Sequence, residues 1–381
     1  MDEDTLPVLP SRPHSIAKTE ILSRYLKSWF FIHGQSSWCR GIDLYYLDAF
    51  AGPGKHERGE PGSPIIALQA AHDAMSTLGS RWMPRSVKCI FVEKNRANFE
   101  AIQQRSAVYI QSPKLEIQVV RGYIEKVLPQ LQSKFPYAFN GESPIFSFLD
   151  PYGPTDLPFH LVSELICRPR SEALINFDHD ALARILKDEA SPTSVPHINR
   201  ALGGSAWQDK INAQTPFHDA SNAFLETYKT NIRKHADHVF AFKMSTPWRK
   251  VSDVGYYLVF ATQHVKGLQK MKVAMRTVGQ GGKYEFANTR SGYQQLFTFT
   301  DPLSAGQALY RHFHGQSNVT IQEIESFVLN ETEYIGPTQP LKYLEQRGLL
   351  EIHASSPARR RNSYPADKVD SITFSGKEGP W

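Results

Sequence analysis

The stretch LYYLDAFAGPG at residues 44–54 decides the fold. Its first four residues are apolar or aromatic and favour a strand. Asp48 closes this run, Gly52 and Gly54 follow it, and the helical pattern PIIALQAAHDAM begins at Pro64. A strand, a glycine-rich loop and a helix in this order are typical of the first unit of a Rossmann-like sheet. Glycines after such a strand let a ligand lie against bare backbone.

Four more apolar runs alternate with helical segments after this unit. CIFVE closes on Glu93, LEIQVVRG breaks at Gly122, PIFSFLDPYG reaches Asp150, and EALINF ends near Asp178. Such an alternation predicts an α/β fold with a Rossmann-like, doubly wound, mostly parallel sheet. Two later runs, HVFAFKMS and VGYYLVFATQH, predict antiparallel-tending strands of the same sheet, after a helical insertion at about 191–235.

Length, charge and cysteine usage narrow the class of protein. The chain has 381 residues, enough for two domains, and its net charge of +5 permits an anionic partner without requiring one. Cys39, Cys89 and Cys167 stand far apart, which argues against a disulfide framework and a zinc site. No apolar run reaches about 18 residues, and the proline-rich beginning lacks the apolar segment of a signal peptide. We expect a cytoplasmic protein with no metal and no membrane partner.

Three segments follow from these patterns. Residues 1–14 are predicted as a flexible arm, 15–300 as the Rossmann-like domain, and 301–381 as a winged-helix-like module. Within the module, Thr320 and Glu323 predict a capping box before the helix IQEIESFVL. A turn, a second helix and the strand LLEIHAS come next, which is the beginning of the winged-helix order.

The loop SPARRRN would form the wing, and a closing run around Tyr364 would form its second strand. Arg359, Arg360 and Arg361 lie in this loop, and Lys342 lies in the preceding helix. These four side chains are the candidate nucleic-acid-binding residues, since clustered cations contact phosphates. A solvated loop, or a winged helix that binds protein, fits the same residues.

The glycine loop lacks the features of a phosphate site. No Lys followed by Ser or Thr opens the helix, and the spacing G-x-G-x-x-G is absent. An acid before small residues better fits a cationic, phosphate-free ligand such as a sulfonium cofactor. Glu93, at the end of the second strand, is a candidate acceptor for ribose hydroxyls. A tight turn and a surface acid are the plain alternatives at these positions.

The fourth strand ends in the tetrad Asp150, Pro151, Tyr152 and Gly153. An acid beside a rigid proline and an aromatic ring offers a hydrogen-bond acceptor and a stacking face. Together these hold a planar, amine-bearing ring beside an electrophile. A strand that simply ends in a Pro-Tyr-Gly turn accounts for the same residues without a ligand.

The sequence resembles the three-Cys-motif partner family, a bacterial group related to Rossmann-like methyltransferases. The matching stretches are AKTEILSRYL, YYLDAFAGPG with GEPGSPIIAL, FVEK, FSFLDPYG and YYLVFATQHVKGLQKMKVAM, over roughly residues 14–276. The family name refers to cysteines on a neighbouring partner protein, so the resemblance implies a partner encoded by a neighbouring gene.

The resemblance also implies S-adenosylmethionine as cofactor. Glu93 would hold the ribose, and Asp48 would lie near the amino-acid end. The loop residues and the adenine position complete the implied cofactor set, which is Asp48, Ala49, Phe50, Gly52, Gly54, Glu93, Gly122 and Tyr123.

The tetrad is similar to that of guanine-N2 tRNA methyltransferases and, distantly, to the Asp-Pro-Pro-Tyr of amine-methylating DNA enzymes. This chain departs from the latter with Tyr152 and Gly153 in place of the second proline and the tyrosine. By analogy, Asp150 and the backbone beside Pro151 accept hydrogen bonds from the target amine, and Tyr152 packs on the ring. We expect methylation of an amine on an RNA or DNA base. Methylation of a protein or small molecule of a partner system, and a non-catalytic cofactor-sensing regulator, are the alternatives.

Overall fold

The computed structural model describes residues 6–10, 13–110, 112–188, 194–244, 256–280, 302–332, 334–354 and 363–379. The chain divides into two compact units, Met1–Gln294 and Gln295–Trp381, which are described separately. None of the helices in the described ranges is long and apolar enough to cross a membrane.

The first unit contains one large sheet. Its strands in the described part of the chain are β1 (Leu44–Asp48), β2 (Val87–Glu93), β3 (Leu115–Arg121), β4 (Ile145–Leu149), β5 (Ser171–Phe177), β6 (His238–Met244) and β7 (Tyr256–Thr262). They lie in the order β3-β2-β1-β4-β5-β7-β6. β1 to β5 are parallel, and β7 runs antiparallel to both β5 and β6. This Rossmann-like, mostly parallel sheet confirms the predicted fold class.

The strand order places a ligand crevice beside β1. β1 pairs with β2 on one side and with β4 on the other, so the loops that follow β1 and β4 leave the sheet in opposite directions. Asp48 lies in register with Phe91 of β2 and Phe148 of β4. Glu93, the last residue of β2, and Asp150, the first residue after β4, therefore reach the same carboxyl edge.

Helices cover both faces of this sheet. They are α1 (Pro13–Gly34), α2 (Ser63–Leu78), α3 (Arg96–Ser106), α4 (Ile124–Lys134), α5 (Pro136–Phe139), α6 (Phe159–Ile166), α7 (His179–Lys187), α8 (Ser194–Leu202), α9 (Phe217–Ile232) and α10 (Val265–Gln280). β1 and β4 are buried along their whole length, as strands covered on both faces must be. α1 packs against α2 and α10, and Met271 and Met275 of α10 are fully buried.

The segment predicted as a helical insertion joins the main core. α8 and α9 pack against α7, and their apolar residues belong to the same buried cluster as β1 and β4. The ring of Tyr228 on α9 stacks on Phe177 at the end of β5, with 4.1 Å between centroids. This segment is therefore part of the wall behind the carboxyl edge.

Residues 6–10, within the segment predicted as a flexible arm, contact the loop after β1. Leu9 donates a backbone hydrogen bond to Lys55 and accepts one from Glu57, both at 2.8 Å. Arg105 of α3 donates to the carbonyls of Pro7 and Pro53, at 2.8 and 2.6 Å. The loop after β1 has backbone groups that no regular element satisfies, and residues 6–10 supply partners for them. α1 then begins at Pro13.

The second unit has its own apolar core. It contains α11 (Pro302–Phe313), α12 (Ile321–Glu331), α13 (Thr338–Gln346) and an antiparallel pair, β8 (Leu350–His353) with β9 (Ser371–Phe374). Thr320 accepts the Glu323 amide and the Glu323 carboxylate accepts the Thr320 amide, which confirms the predicted capping box. The interpretation as a winged helix stays a prediction.

The closing strand of this unit lies later than the run around Tyr364. The carbonyl of Pro365 accepts the amides of Lys368 and Val369, so the chain turns there. Proline has no amide to donate to a ladder, and the strand begins only at Ser371. Tyr364 is buried as a core residue instead.

Candidate functional site

Two cavities open at the carboxyl edge of the sheet. The β2 cavity, of about 250 Å³, is lined by residues that include Ala49, Phe50, Glu93, Lys94, Gly122, Tyr123, Tyr152 and Arg200. The β4 cavity, of about 360 Å³, is lined by residues that include Lys18, Phe50, Gly52, His56, Asp150, Pro151, Tyr152 and Asn176. Phe50 and Tyr152 line both, so the two cavities adjoin. Most of the predicted site residues therefore meet at one place.

The loop after β1 depends on its glycines. Gly52 and Gly54 have φ values of 63° and 82°, in the left-handed region that disfavours side chains. A Cβ on Gly62 would lie 2.8 Å from the backbone carbon of Gly54, so the loop closes on itself without room for a methyl group. The Gly52 amide donates to Glu93 Oε2 at 2.8 Å, which fixes the loop against the end of β2.

Glu93 is buried and already holds two backbone amides. Its Oε1 accepts the Asn95 amide at 2.6 Å, and its Oε2 accepts the Gly52 amide and faces the Tyr152 hydroxyl at 3.5 Å. Each carboxylate oxygen can accept two hydrogen bonds, so Oε1 keeps capacity for a hydroxyl donor in the β2 cavity. The backbone contacts hold the carboxylate in one orientation.

Two exposed aromatic rings flank the mouth of the β2 cavity. Tyr123 and Tyr152 are 59% and 56% exposed, and the Lys94 ammonium lies 5.4 and 5.0 Å from their ring centroids. Gly122 beside them has no space for a side chain, because a Cβ there would lie 2.7 Å from Val127. The mouth thus offers stacking surfaces for a planar ring and close access to backbone.

Asp48 lines neither cavity, and its place near the amino-acid end of a cofactor stays a prediction. Its carboxylate lies beneath the glycine loop, 3.3 Å from the Phe50 amide and 3.4 Å from the Tyr46 hydroxyl. Burial raises the pKa of Asp48 to about 7, against the opposing effect of hydrogen bonds from Ser63 and Phe50. As the last residue of β1, its side chain is enclosed by the sheet core, and Ala49 and Phe50 reach the cavity instead. Gly54 also lies outside both cavity linings.

Asp150 is held by two side chains that the sequence did not single out. The Lys18 ammonium of α1 lies 2.6 Å from both carboxylate oxygens, and Asn176 of β5 donates to Oδ1 at 2.7 Å. Pro151 and Tyr152 line the β4 cavity beside it, and Gly153 lies in the turn beyond. Lys18 lies in the stretch AKTEILSRYL and Asn176 lies in EALINF. The sequence patterns of these two segments do not indicate that either side chain contacts Asp150.

His56 is a further side chain of the β4 cavity that the sequence did not indicate. It is 1% exposed, and its Nδ1 lies 3.4 Å from the Pro10 carbonyl oxygen. Within the described residues, its Nε2 is buried and has no hydrogen-bond partner. This nitrogen faces a polar cavity and is free to bond with a group that enters it.

The predicted nucleic-acid-binding residues fall in the second unit. Arg359, Arg360 and Arg361 lie outside the described residues. Lys342 is partly exposed on α13, and the guanidinium of Arg347, just after this helix, lies 3.7 Å from the Tyr343 ring centroid.

Comparisons with known proteins give matches among solved structures. No protein-family model matches the sequence, and no curated protein matches it. A Legionella pneumophila protein of the DUF519 family aligns with a TM-score of 0.42 and 10% identity, over 71% of this chain and 94% of that chain. A Streptomyces achromogenes O-methyltransferase of tomaymycin synthesis, solved with S-adenosylmethionine, aligns with a TM-score of 0.33 and 16% identity, over 63% of this chain and 79% of that chain. A putative Escherichia coli methyltransferase aligns with a TM-score of 0.30 and 15% identity, over 68% of this chain and 91% of that chain.

These TM-scores are all below 0.5. The strand order and register of this chain establish its fold independently of these matches. Membership of the three-Cys-motif partner family stays a prediction.

The raised pKa of Asp48 predicts a pH-dependent stability. The group has a pKa of about 7 in the folded chain and about 3.9 when unfolded. The stabilising contribution of Asp48 to the free energy of unfolding is fully present below about pH 4 and is lost as the pH rises toward 7. The free energy of unfolding then falls by at most about 1.4 kcal/mol per pH unit. We expect Asp48→Asn to remove this slope in urea denaturation between pH 4 and pH 8. Asp237→Asn, at an exposed site, should retain it; parallel curves for wild type and Asp48→Asn would contradict the assignment.

Proposed function

We propose that this protein is an S-adenosylmethionine-dependent methyltransferase that acts on an exocyclic amine of a nucleic-acid base. The observation that carries the proposal is the pair of adjoining cavities at the sheet edge, with Phe50 and Tyr152 lining both. A cofactor in the β2 cavity would present its methyl group toward an acceptor in the β4 cavity. The strand order places this pair at the crevice where open α/β sheets bind ligands.

The residues of the β2 cavity fit the cofactor. Glu93 Oε1 has capacity for a ribose hydroxyl, and its orientation is set by backbone amides. The bare backbone at Gly122 and the exposed ring of Tyr123 suit an adenine that stacks and lies close to the chain. Bound there, the cofactor supplies an electrophilic methyl group on a sulfonium sulfur, so the protein has to position the acceptor more than activate it.

The residues of the β4 cavity fit an amine acceptor. Asn176 and Lys18 both contact Oδ1 of Asp150, whereas Oδ2 is held by Lys18. An amine that replaces the Lys18 contact at Oδ2 leaves Asn176 in place, and the carboxylate keeps its orientation. Asp150 then accepts one N–H of the amine and takes up the proton that the methylated amine releases. Tyr152 packs on the ring that carries the amine.

We further propose that the second unit docks the nucleic acid. Arg359, Arg360 and Arg361 follow one another in the sequence, and Lys342 is partly exposed. Three adjacent guanidinium groups attract phosphates and release counterions, which gives binding that depends on salt and not on sequence.

The glycine loop provides a test of cofactor binding with a matched control. Gly52→Val places a side chain in a left-handed backbone where a Cβ already meets Leu9 at 3.3 Å. It should lower S-adenosylmethionine affinity at least about tenfold in calorimetric titration, because the loop and its bond to Glu93 shift. Gly59→Val has an equally left-handed φ of 91° but faces no neighbour within 4 Å. Equal affinities of the two variants would remove the loop from the cofactor site.

Substitution of Asp150 tests methyl transfer separately from cofactor binding. We expect Asp150→Ala to reduce methylation of RNA or DNA about 100-fold or more, since the acceptor loses its positioning group. Affinity for S-adenosylmethionine should stay within about twofold, because Glu93 and the glycine loop are unchanged. Asp209→Ala, at an exposed carboxylate, should leave both quantities at the wild-type level. Retained turnover in Asp150→Ala would show that the acceptor binds elsewhere.

The docking role of the second unit has a salt signature. Replacing Arg359, Arg360 and Arg361 by alanine should weaken binding of a duplex oligonucleotide and lower the slope of log affinity against log salt by about 2 to 3. Fluorescence anisotropy across a salt series measures both quantities. An unchanged slope would show that these arginines do not contact phosphates and that they face a protein partner or solvent.

A further inference from the structure

Another cavity lies at the amino edge of the sheet, away from the proposed cofactor site. This amino-edge cavity has a volume of about 280 Å³ and is formed by α1, the start of β5, the end of β7 and the first turns of α10. Glu172 lines it, and Asn176, four residues later on β5, reaches Asp150. At the rise of a strand these two positions are about 13 Å apart, so the cavity is separate from the β4 cavity.

The wall of this cavity is aromatic and partly open to solvent. Trp38 and Ile32 are 47% and 39% exposed and give the cavity an accessible apolar surface. His33 lies 4.6 Å from Trp29 and 5.5 Å from Trp38, between ring centroids. Burial lowers the pKa of His33 to about 4, so its ring is neutral at neutral pH. The Arg170 guanidinium lies 4.8 Å from Trp38 and extends the stacking surface.

The rim of the cavity is cationic. Lys266 and Lys270 stand four residues apart on α10, so they share one side of the helix, and Arg170 lies on the β5 side. In the part of the chain that the structure describes, neither lysine forms an ion pair. α10 begins at Val265 and runs for 16 residues, which directs the positive end of its dipole toward the cavity. These charges favour an anionic ligand.

The floor of the cavity is preformed. The buried carboxylate of Glu172 accepts the Tyr25 hydroxyl at 2.6 Å and the Thr262 hydroxyl at 2.9 Å. A Cβ on Gly267 would lie 2.3 Å from Glu172 Oε1, so the first turn of α10 packs directly on this group. Because α1, β7 and α10 all meet at one carboxylate, the wall and the rim are held at fixed positions.

We propose that the amino-edge cavity binds a nucleotide, with the base against Trp38 and Arg170 and the phosphate against Lys266 and Lys270. An aromatic wall alone would suit an apolar ligand, and a cationic rim alone would suit free phosphate. Their combination in one cavity suits a planar ring that carries an anionic group. A free nucleotide and an unpaired nucleotide of a strand share this chemistry. The site is independent of methyl transfer, since none of its residues lines the two cavities at the carboxyl edge.

The test is equilibrium titration of the full chain, monitored by tryptophan fluorescence and calorimetry. The probes are adenosine monophosphate, guanosine monophosphate, adenosine and a single-stranded pentaadenylate. Trp38→Ala should weaken binding at least about tenfold, because one stacking partner of a base is lost. The double variant Lys266→Ala with Lys270→Ala should weaken it about tenfold and reduce its salt dependence. These side chains are exposed, and thermal denaturation checks that the variants fold. Lys114→Ala with Lys210→Ala makes the same charge change outside the cavity and should bind as wild type does.

Three results would overturn the proposal. Wild-type affinity in the Trp38 and lysine variants would place the nucleotide elsewhere, the β2 cavity included. Equal affinity for adenosine and adenosine monophosphate would show that the rim does not hold a phosphate. Absence of binding by both mononucleotides and a single-stranded pentaadenylate would show that the cavity takes no nucleotide. Tighter binding of the pentaadenylate, lost in the same variants, would identify a strand as the source, and equal binding would identify the free nucleotide.

Discussion

The hydrogen bond from the Gly52 amide to the buried Glu93 carboxylate joins the ends of β1 and β2, and the carboxyl edge is built around it. A loop in a left-handed conformation has few regular partners for its backbone, so it needs contacts from outside. Glu93 supplies one, Leu9 pairs with Lys55 and Glu57, and Arg105 reaches the Pro53 carbonyl. With the loop fixed in this way, Phe50 stands between two cavities and gives each of them a wall.

The long helix α1 connects the two edges of the sheet. Lys18, Tyr25, Trp29 and His33 are spaced by seven, four and four residues, which places them along one side of the helix. The first contacts Asp150 at the carboxyl edge, and the second contacts Glu172 at the amino edge. At the rise of an α-helix Lys18 and Tyr25 are about 10 Å apart along its axis. One helix therefore holds a carboxylate at each edge, and its packing on α2 and α10 keeps both in place.

Four carboxylates near the sheet show how surroundings decide the use of an acid. Asp48 is enclosed, and burial raises its pKa to about 7. Glu172 is also buried and has a raised pKa, and hydrogen bonds from Tyr25 and Thr262 make it a junction between elements at the floor of the amino-edge cavity. Glu93 is buried yet lines a cavity and keeps an orientation set by backbone amides. Asp150 is partly exposed beside Lys18 and Asn176, where a ligand can reach it.

The sequence by itself determined the strands of the large sheet, their order of appearance and the edge at which Gly52, Glu93 and Asp150 meet. These features depend on local periodicity and on the rule that parallel strands share one carboxyl edge. Only the tertiary structure decided that Lys18 and Asn176 hold Asp150, and that Asp48 lies beneath the loop. The Lys18 contact joins residues 132 positions apart, and a periodic pattern records which face a side chain takes but not which distant side chain it meets. The packing of α1, β5 and α10 decides these contacts, because it brings distant segments of the chain within hydrogen-bond distance.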